Sequence, residues 1–251
     1  MQHKILVSNI GYARDIDGAV HWHLLRMHRH IRTPKSVQLA SLDEYKRIVE
    51  ATRPDLCCLI EVDTGSSTSG GFDQFAYLED PAYPYRDVVN KYAENSKLAK
   101  FAATRGKCNG FMARHPYRYD RLYLSCGSKR LLYRIELEEG LTLFFTHLSL
   151  KRPIRAQQMV ELRLLADKEA GEVIFAGDFN ILAGLDELKL LTGDGKYKLI
   201  NSPDDGTFTL FGRHYLLDLC IASRSVANRL SVNIIEQGFS DHDALLISID
   251  S

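Results

Sequence analysis

The sequence predicts a mixed α/β protein in which two β-sheets pack face to face and helices lie outside them. Short apolar segments, of the kind that form buried strands, recur along the whole chain. Candidate helices separate several of these strands, which is typical of layered α/β folds. No linker, repeat or low-complexity tract divides the 251 residues, so we predict a single domain over residues 1–251.

The strands are predicted from apolar runs and the helices from the longer segments between them. In chain order, the predicted strands are 4–10, 55–61, 109–114, 131–138, 141–148, 172–178, 206–211, 215–222 and 242–249. Weaker strand candidates are 121–125, 197–200 and 232–236. The predicted helices are 41–52, 88–100, 153–170 and a short one near 184–191.

Capping and turn residues set several of these boundaries. Ser41 followed by Glu44 fits a capping box that begins the first helix. Pro153 fits the first turn of the third helix, and Gly171 is expected to close that helix. Gly140 lies between two apolar strands and predicts a hairpin.

Bulk properties predict no membrane-spanning helix, because no apolar run reaches about eighteen residues. The first residues, 1–4, lead directly into a strand, and no targeting segment is recognised before it. The five cysteines lie mostly in or beside apolar runs and form no Cys-x-x-Cys pair; they are Cys57, Cys58, Cys108, Cys126 and Cys220. We therefore expect reduced, buried thiols and a cytoplasmic location.

The segment Gly177-Asp178-Phe179-Asn180 follows the buried-strand run 173–176. Alternate residues of a strand lie on the same side, so Asp178 and Asn180 can converge on one ligand. A carboxylate and a carboxamide placed in this way suit a metal-bound phosphate. Taken alone, the same letters also describe an ordinary turn after a strand.

Three similar signals lie at other strand ends: Asn9 after the first strand, Glu61 after the second, and Asp241-His242 before the last. Each one singly is consistent with a loop cap. Together they place hard oxygen ligands and an imidazole at the mouths of four strands. Such oxygen-rich, thiolate-free sites suit Mg²⁺ or Mn²⁺.

These motifs resemble those of the endonuclease/exonuclease/phosphatase superfamily, which includes pancreatic deoxyribonuclease, abasic-site endonucleases, neutral sphingomyelinases and inositol polyphosphate 5-phosphatases. The resemblance covers nearly the whole chain, and its pieces are Ser8-Asn9-Ile10, Leu59-Ile60-Glu61, Asn109-Gly110-Phe111, Thr146-His147-Leu148, Gly177-Asp178-Phe179-Asn180, Leu217-Asp218-Leu219-Cys220-Ile221 and Ser240-Asp241-His242. It implies a four-layer α/β sandwich, with two packed mixed β-sheets flanked by helices and the site where the strand ends of both sheets meet.

The resemblance implies that Glu61 binds the divalent ion, with Asn9 and Asp241 completing its surroundings. Asn9 also fits an ordinary turn residue before Gly11. Asn109 is assigned to substrate binding. Hydrolysis of a phosphoester requires neutralised phosphoryl oxygens, an activated water and a stabilised leaving oxygen.

The catalytic roles are assigned to two acids, one amide and one histidine. Asp178 is expected to orient or deprotonate the attacking water, and Asn180 to donate to a phosphoryl oxygen. His242 is expected to contact phosphate and transfer a proton. Asp218 lies inside an apolar strand, where a lone carboxylate would be costly to bury, so we predict that it partners His242 and fixes its tautomer.

His147 is also consistent with a core histidine that is hydrogen-bonded to backbone. The resemblance favours a second catalytic histidine, as in members built like pancreatic deoxyribonuclease and the sphingomyelinases. Abasic-site endonucleases rely on a tyrosine in this region, and none aligns with position 147. This departure disfavours abasic-site repair.

Residues 11–40 form a long His- and Arg-rich segment between the first strand and the first helix. We interpret it as a partly helical cationic surface above the strand ends, with Trp22 and Arg26 as candidate substrate contacts. An ordinary solvated insertion fits equally well, and a zinc site at the His pairs 21/23 and 28/30 is disfavoured, because no closing carboxylate or cysteine pattern supports it. A second basic cluster leads into the Asn109-Gly110 motif and is expected to line the same cleft; its members are Lys97, Lys100, Arg105, Lys107 and Arg114. Arg114 is also assigned to substrate binding.

We therefore predict a divalent-metal-dependent phosphodiesterase or phosphatase that acts on a small or lipid-derived phosphoester by direct water attack at phosphorus. The chain has 32 basic and 32 acidic side chains, whereas tight duplex-DNA binding usually needs a basic excess. An endo- or exonuclease acting on DNA or RNA is the alternative. A third hypothesis is an inactive ligand-binding module, which the retention of every site position disfavours.

Overall fold

The computed structural model describes residues 2–19, 25–93 and 96–250, and its centre is a pair of six-stranded sheets. The first sheet has the spatial order β13 (Leu230–Ile235), β14 (Ala244–Ile249), β1 (His3–Asn9), β2 (Leu56–Asp63), β4 (Lys107–Ala113) and β3 (Tyr85–Asn90). The second has the order β5 (Arg118–Tyr123), β6 (Leu131–Glu138), β7 (Leu141–His147), β8 (Glu172–Asp178), β12 (Asp218–Ser223) and β9 (Tyr197–Leu199). A separate hairpin pairs β10 (Phe208–Leu210) with β11 (Arg213–Tyr215).

The helices are few and two of them are long. They are α1 (Lys35–Thr52), α2 (Gln74–Tyr77), α3 (Lys97–Lys100), α4 (Arg152–Ala166) and α5 (Lys189–Thr192). Short 3-10 turns cover Gly11–Ala13, Met27–His30, Ser67–Ser69, Leu185–Leu188 and Ala227–Arg229. Within the described ranges, every helix is too short or too polar to cross a membrane.

Strand alternation divides the apolar side chains into three clusters and creates the four layers. Ile5 and Val7 of β1 point between the sheets, where they share one cluster with Phe145 of β7. Leu6 points the other way and packs in a cluster with Tyr45 of α1. The outer face of the second sheet packs in the same manner against α4 and α5. The layer order helix, sheet, sheet, helix confirms the predicted α/β sandwich.

The strand registers bring the predicted functional positions to one end of the sandwich. Parallel pairing of β7 with β8 sets His147 opposite Asp178. Antiparallel pairing of β12 with β8 sets Asp218 opposite the same residue. Gly177 has a φ of 138°, and a Cβ there would lie 1.9 Å from the carbonyl oxygen of Thr146. Only glycine therefore allows β7 and β8 to approach this closely next to the site.

The predicted helix over 88–100 is wrong, because Tyr85–Asn90 form strand β3 and only Lys97–Lys100 are helical. β3 pairs along its whole length with β4 at the edge of the first sheet. Asp87 accepts hydrogen bonds from Tyr133 and from Arg121 of the other sheet. These tertiary contacts hold residues 85–90 in a strand, where local sequence had favoured a helix.

The boundaries of the two long helices also differ from their predictions. α1 begins at Lys35, directly after Pro34, so Ser41 is an interior residue whose hydroxyl donates to the Val37 carbonyl oxygen. α4 ends at Ala166 with Asp167 as its C-cap, so Gly171 does not close the helix. A Cβ at Gly171 would lie 2.2 Å from the Gly140 carbonyl oxygen, which explains the glycine by close chain approach.

Candidate active site

Asp178 lies at the centre of a cluster where strand ends of both sheets meet. Its Oδ2 accepts a hydrogen bond from Asn9 Nδ2 at 3.2 Å and lies 3.2 Å from His147 Nε2. Its Oδ1 accepts a bond from the backbone N–H of Asn180 at 2.9 Å. Burial alone would raise the pKa of Asp178, but His147 and His242 hold it well below its usual range. The carboxylate is therefore ionised at neutral pH.

Asn180 directly follows the strand end and has a left-handed backbone, with φ of 53°. This conformation turns its backbone N–H back towards Asp178. Its side-chain Nδ2 donates to the Leu148 carbonyl oxygen at 3.0 Å. A carboxamide nitrogen carries two hydrogens, so one N–H holds the side chain in place and the other is available to a ligand.

Asp218 and His242 form a hydrogen-bonded pair, as predicted from the burial of the Asp218 carboxylate. His242 Nδ1 lies 2.7 Å from Asp218 Oδ2, and both side chains are buried. Burial alone would lower the pKa of His242, but the charge and hydrogen bond of Asp218 raise it to about 10. Burial raises the pKa of Asp218. His242 Nε2 points to the shared centre, 3.9 Å from Asp178 Oδ2.

Glu61 lies at an irregularity of β2 that directs its side chain into the site. The register between β2 and β4 shifts between Leu59 and Val62, and Glu61 has a φ of 60°. A bulge of this kind re-aims a side chain and removes an amide from the ladder. Asn109 Oδ1 accepts that Glu61 N–H at 3.1 Å. The Asn109 side chain thus holds the backbone of Glu61, the candidate metal ligand, in place.

Lys91 forms a salt bridge with Glu61. Its Nζ donates to Glu61 Oε1 at 2.9 Å and also to the hydroxyl of Tyr12. Burial alone would raise the pKa of Glu61, but Lys91, Lys129 and His147 hold it well below its usual range. The Glu61 carboxylate is therefore charged, with one oxygen bound by Lys91.

Asp241 supplies a second carboxylate beside Glu61. Its Oδ1 lies over Gly11, 3.8 Å from the position of a Cβ at that glycine. Burial raises the pKa of Asp241, and the negative charges of Glu61 and Asp178 raise it further. Converging carboxylates of this kind repel one another unless a cation lies between them.

This donor set fits Mg²⁺ or Mn²⁺. In the described ranges no three His, Cys, Asp or Glu side chains already converge as a complete ligand set. Mg²⁺ usually takes only one or two carboxylates and retains several waters. Glu61 and Asp241, with the amide oxygen of Asn9 nearby, meet that requirement with oxygen ligands alone.

His147 differs from His242 in its partners and its charge. Its Nε2 contacts the ammonium of Lys129 as well as Asp178. Burial lowers the pKa of His147 to about 4, and the positive charge of Lys129 contributes. His147 is therefore neutral at neutral pH, whereas His242 is a cation.

The structure brings most of the predicted site residues together and separates a few. Asn9, Glu61, Asn109, His147, Asp178, Asn180, Asp218, Asp241 and His242 converge as described above. Arg114 follows the opposite end of β4 and contacts the Tyr83 hydroxyl at 3.4 Å, so it does not join the cluster. Arg26 lies 2.9 Å from Asp15 Oδ1. Trp22 and the histidines at 21 and 23 lie outside the described residues.

Sequence reasoning missed three residues of this cluster: Tyr12, Lys91 and Lys129. Lys91 directly follows strand β3, but the segment was predicted to be helical, which concealed a strand-end lysine. Lys129 lies in the loop before β6, where the only signal is the turn Gly127-Ser128 ahead of an apolar run. Tyr12 follows Gly11 in a short 3-10 turn with positive φ, for which the sequence offers no comparable signal.

Comparison with known proteins gives one family match and many matches of fold. Residues 37–242 match the model of the Endonuclease/Exonuclease/phosphatase family. No curated protein sequence matches the chain significantly.

Three solved structures illustrate the fold matches. An endonuclease/exonuclease/phosphatase from Beutenbergia cavernae is 18% identical, with 99% of this chain and 71% of that chain covered and a TM-score of 0.67. Truncated Caenorhabditis elegans TDP2 is 16% identical, with coverage of 100% and 98% and a TM-score of 0.62. The human Nocturnin catalytic domain with bound sulfate is 18% identical, with coverage of 98% and 92% and a TM-score of 0.63. At these identities the likeness concerns the fold.

Proposed function

The chain belongs to the endonuclease/exonuclease/phosphatase family, and from this premise we propose that it is a divalent-metal-dependent phosphoesterase. Its proposed reaction is hydrolysis of a small or lipid-derived phosphoester by direct attack of water at phosphorus. One observation carries the proposal: His147, Asp178 and Asp218 stand in register on three neighbouring strands, with Asn9 of the other sheet bonded to Asp178.

Glu61 and Asp241 are the proposed metal ligands, with Asn9 beside them. Mg²⁺ or Mn²⁺ bound there supplies positive charge to the phosphoryl oxygens and to the developing transition state. Lys91 holds one oxygen of Glu61 at 2.9 Å and keeps the carboxylate oriented and charged. The proposed ligands are therefore acidic, and the charged side chains around them, Lys91 and Lys129, are basic.

Asp178 is the proposed acceptor for the proton of the attacking water. Its pKa lies well below the usual range, so it is present as the carboxylate, and its two oxygens are fixed by Asn9 and by the Asn180 backbone. Asn180 Nδ2 has one N–H free to donate to a phosphoryl oxygen. Water oxygen bonds to phosphorus while the bond from phosphorus to the leaving oxygen breaks.

His242 is the proposed proton donor to the leaving oxygen. Asp218 raises the pKa of His242 to about 10, so the imidazolium is present at neutral pH and its Nε2 faces the centre. Asp218 holds Nδ1 at 2.7 Å and fixes the ring. His147 is neutral and is proposed to orient Asp178 through its Nε2 contact.

A small or lipid-derived substrate is favoured by the surface around the site. We call this surface the rim and define it as residues 25–33, 97–105 and 208–215. Phe208 contacts the His242 ring, and Arg29 binds Asp15, three residues after Tyr12 in the chain. More than half of each of five large apolar rim side chains is exposed, namely Leu25, Met27, Ile31, Phe101 and Phe211. Exposed apolar groups of this kind suit a lipid better than a polyanionic duplex.

A nuclease is the second candidate, and one observation supports it. The same rim carries the basic side chains Lys97, Lys100 and Arg105 at 97–105, which could follow a phosphate backbone. The formal net charge of zero weighs against tight duplex binding. A cytoplasmic location is part of the proposal, supported by four buried cysteines and one half-buried cysteine without disulfides.

The test is hydrolysis of bis-(p-nitrophenyl) phosphate with Mg²⁺ or Mn²⁺, before and after complete chelation. We expect activity to vanish with chelator and to return with added metal. Glu61→Gln and Asp178→Asn should each lower kcat/KM by on the order of 10²-fold or more. Asp250→Asn, an exposed acid beyond the opposite end of β14, serves as the matched control. Activity that survives complete metal removal would refute the metal assignment.

A further inference from the structure

Three lysine side chains lie at or near the site, and they differ in how their charge is balanced. Lys107 Nζ lies 2.6 Å from Asp63 Oδ2, and Lys91 Nζ lies 2.9 Å from Glu61 Oε1. Lys129 forms no salt bridge with a carboxylate anywhere in the described part of the chain. Its ammonium is therefore the cation of this cluster that lacks a directly bound anion.

Within the described ranges, the one hydrogen-bond partner of the Lys129 ammonium is His147 Nε2. The same nitrogen lies 3.2 Å from Asp178 Oδ2. A neutral imidazole nitrogen either donates or accepts, so Nε2 cannot donate to Asp178 and accept from Lys129 together. When Nε2–H donates to Asp178, the Lys129 ammonium needs another acceptor. Burial lowers the pKa of Lys129 to about 8, so it still carries its charge at neutral pH.

The loop that carries Lys129 is held in place by the buried side chain of Gln158 on α4. Gln158 Nε2 donates to the Lys129 and Cys126 carbonyl oxygens at 2.7 and 3.0 Å. Its Oε1 accepts from the Ser149 N–H at 2.9 Å, two residues after His147. A Cβ at Gly127 would lie 2.8 Å from Ile154 of α4. One glutamine thus joins the loop of Lys129 to the chain that follows β7.

We propose that Lys129 is a phosphate-binding residue whose ammonium contacts a non-bridging oxygen of the substrate phosphoryl group and of the phosphate product, with Gln158 as its positioning residue. The inference rests on the proposed function, because it assigns the anion to the same site. A half-buried, desolvated cation without an anion is costly, and a phosphoryl oxygen supplies the missing partner. Charge-assisted bonds of this type are among the stronger hydrogen bonds in proteins.

The test measures binding of inorganic phosphate by calorimetry with Mg²⁺ present, separately from turnover. Lys129→Met should weaken phosphate binding by on the order of 10- to 100-fold, and Lys129→Arg should retain most of it. Lys189→Met, at an exposed lysine outside the cluster, should leave binding unchanged. Lys129→Met should also raise the melting temperature or leave it unchanged, because it removes a desolvated charge.

Gln158→Leu separates positioning from direct contact. It should weaken phosphate binding less than Lys129→Met does, and Lys129→Met added to it should cost less than in the wild type. Unchanged phosphate affinity in folded Lys129→Met would overturn the proposal. A protein that binds phosphate through Lys129 and hydrolyses no ester would instead refute the proposed function and leave this assignment standing.

Discussion

At the scale of single residues, two histidines of the same cluster are driven to opposite charge states. Asp218 raises the pKa of His242 to about 10, whereas burial and Lys129 lower the pKa of His147 to about 4. Opposite pKa shifts of this kind are how acid and base roles are assigned in active sites, and they support the proposed role of His242 as the proton donor. The sequence predicted the Asp218–His242 pair, because a carboxylate in an apolar strand needs a partner. It did not predict Lys129, whose position is set by a loop and by Gln158 of a helix distant in sequence.

The first prediction treats Asp218 and His242 as one unit. Asp218→Asn leaves the imidazole without its charged partner, so it should lower kcat/KM roughly as much as His242→Ala does, on the order of 10²- to 10⁴-fold. The double variant should be little worse than either single one, because residues that act together are non-additive. Rates measured for all four proteins complete the cycle. Losses that multiply would show that the two residues act separately.

The second prediction concerns stability and pH. The pKa of folded His242 lies near 10, above the unfolded value of about 6.5. The stabilisation from the charge on His242 is therefore present at about pH 6.5 and is lost as pH rises towards 10. Urea unfolding of wild type and His242→Asn should differ most at pH 6 and least near pH 10. A difference that stays constant or grows with pH would contradict the charged pair.

At the scale of elements, the site depends on how strands end and how closely they approach. Apolar runs predicted β1, β2, β7, β8 and β14 well, because buried strands leave a strong local signal. Asp178 and His147 were therefore placed correctly at strand ends. β3 was missed, because the residues that stabilise it, those of β4 and the partners of Asp87, are distant from it in sequence. The same error concealed Lys91, the partner of Glu61.

The third prediction is made at the contact between β7 and β8. Gly177→Ala would put a Cβ 1.9 Å from the Thr146 carbonyl oxygen at a φ of 138°, so the strands must separate or the backbone must change. We expect a loss of at least about 2 kcal/mol in the free energy of unfolding, measured by denaturant titration. Gly140→Ala is the control, because its φ is also positive but nothing lies within 4 Å of the added Cβ. That variant should cost only about 1 kcal/mol, and equal losses would refute the close-approach explanation.

At the scale of the whole molecule, two sheets contribute different parts of one site. The first sheet supplies Asn9 and Glu61, and the second supplies His147, Asp178 and Asp218. The sandwich itself was predictable from strand and helix order together with the motif resemblance. Which apolar side chains are exposed on the rim could not be predicted, because tertiary packing decides their exposure. Net neutrality and an apolar rim together favour a substrate that offers both phosphate and hydrocarbon.

The last prediction follows from that rim. Hydrolysis of plasmid, single-stranded oligonucleotide, sphingomyelin or glycerophospholipid vesicles, and inositol phosphates should be compared at two salt concentrations. We expect lipid or small phosphoesters to be hydrolysed faster than DNA. Ile31→Ser changes a rim side chain that is 79% exposed, and it should slow hydrolysis of vesicle lipid while leaving bis-(p-nitrophenyl) phosphate unaffected. Lys189→Met is again the surface control. Nuclease rates far above the others, falling steeply as salt rises because phosphate contacts release counterions, would assign the rim's basic side chains to nucleic acid instead.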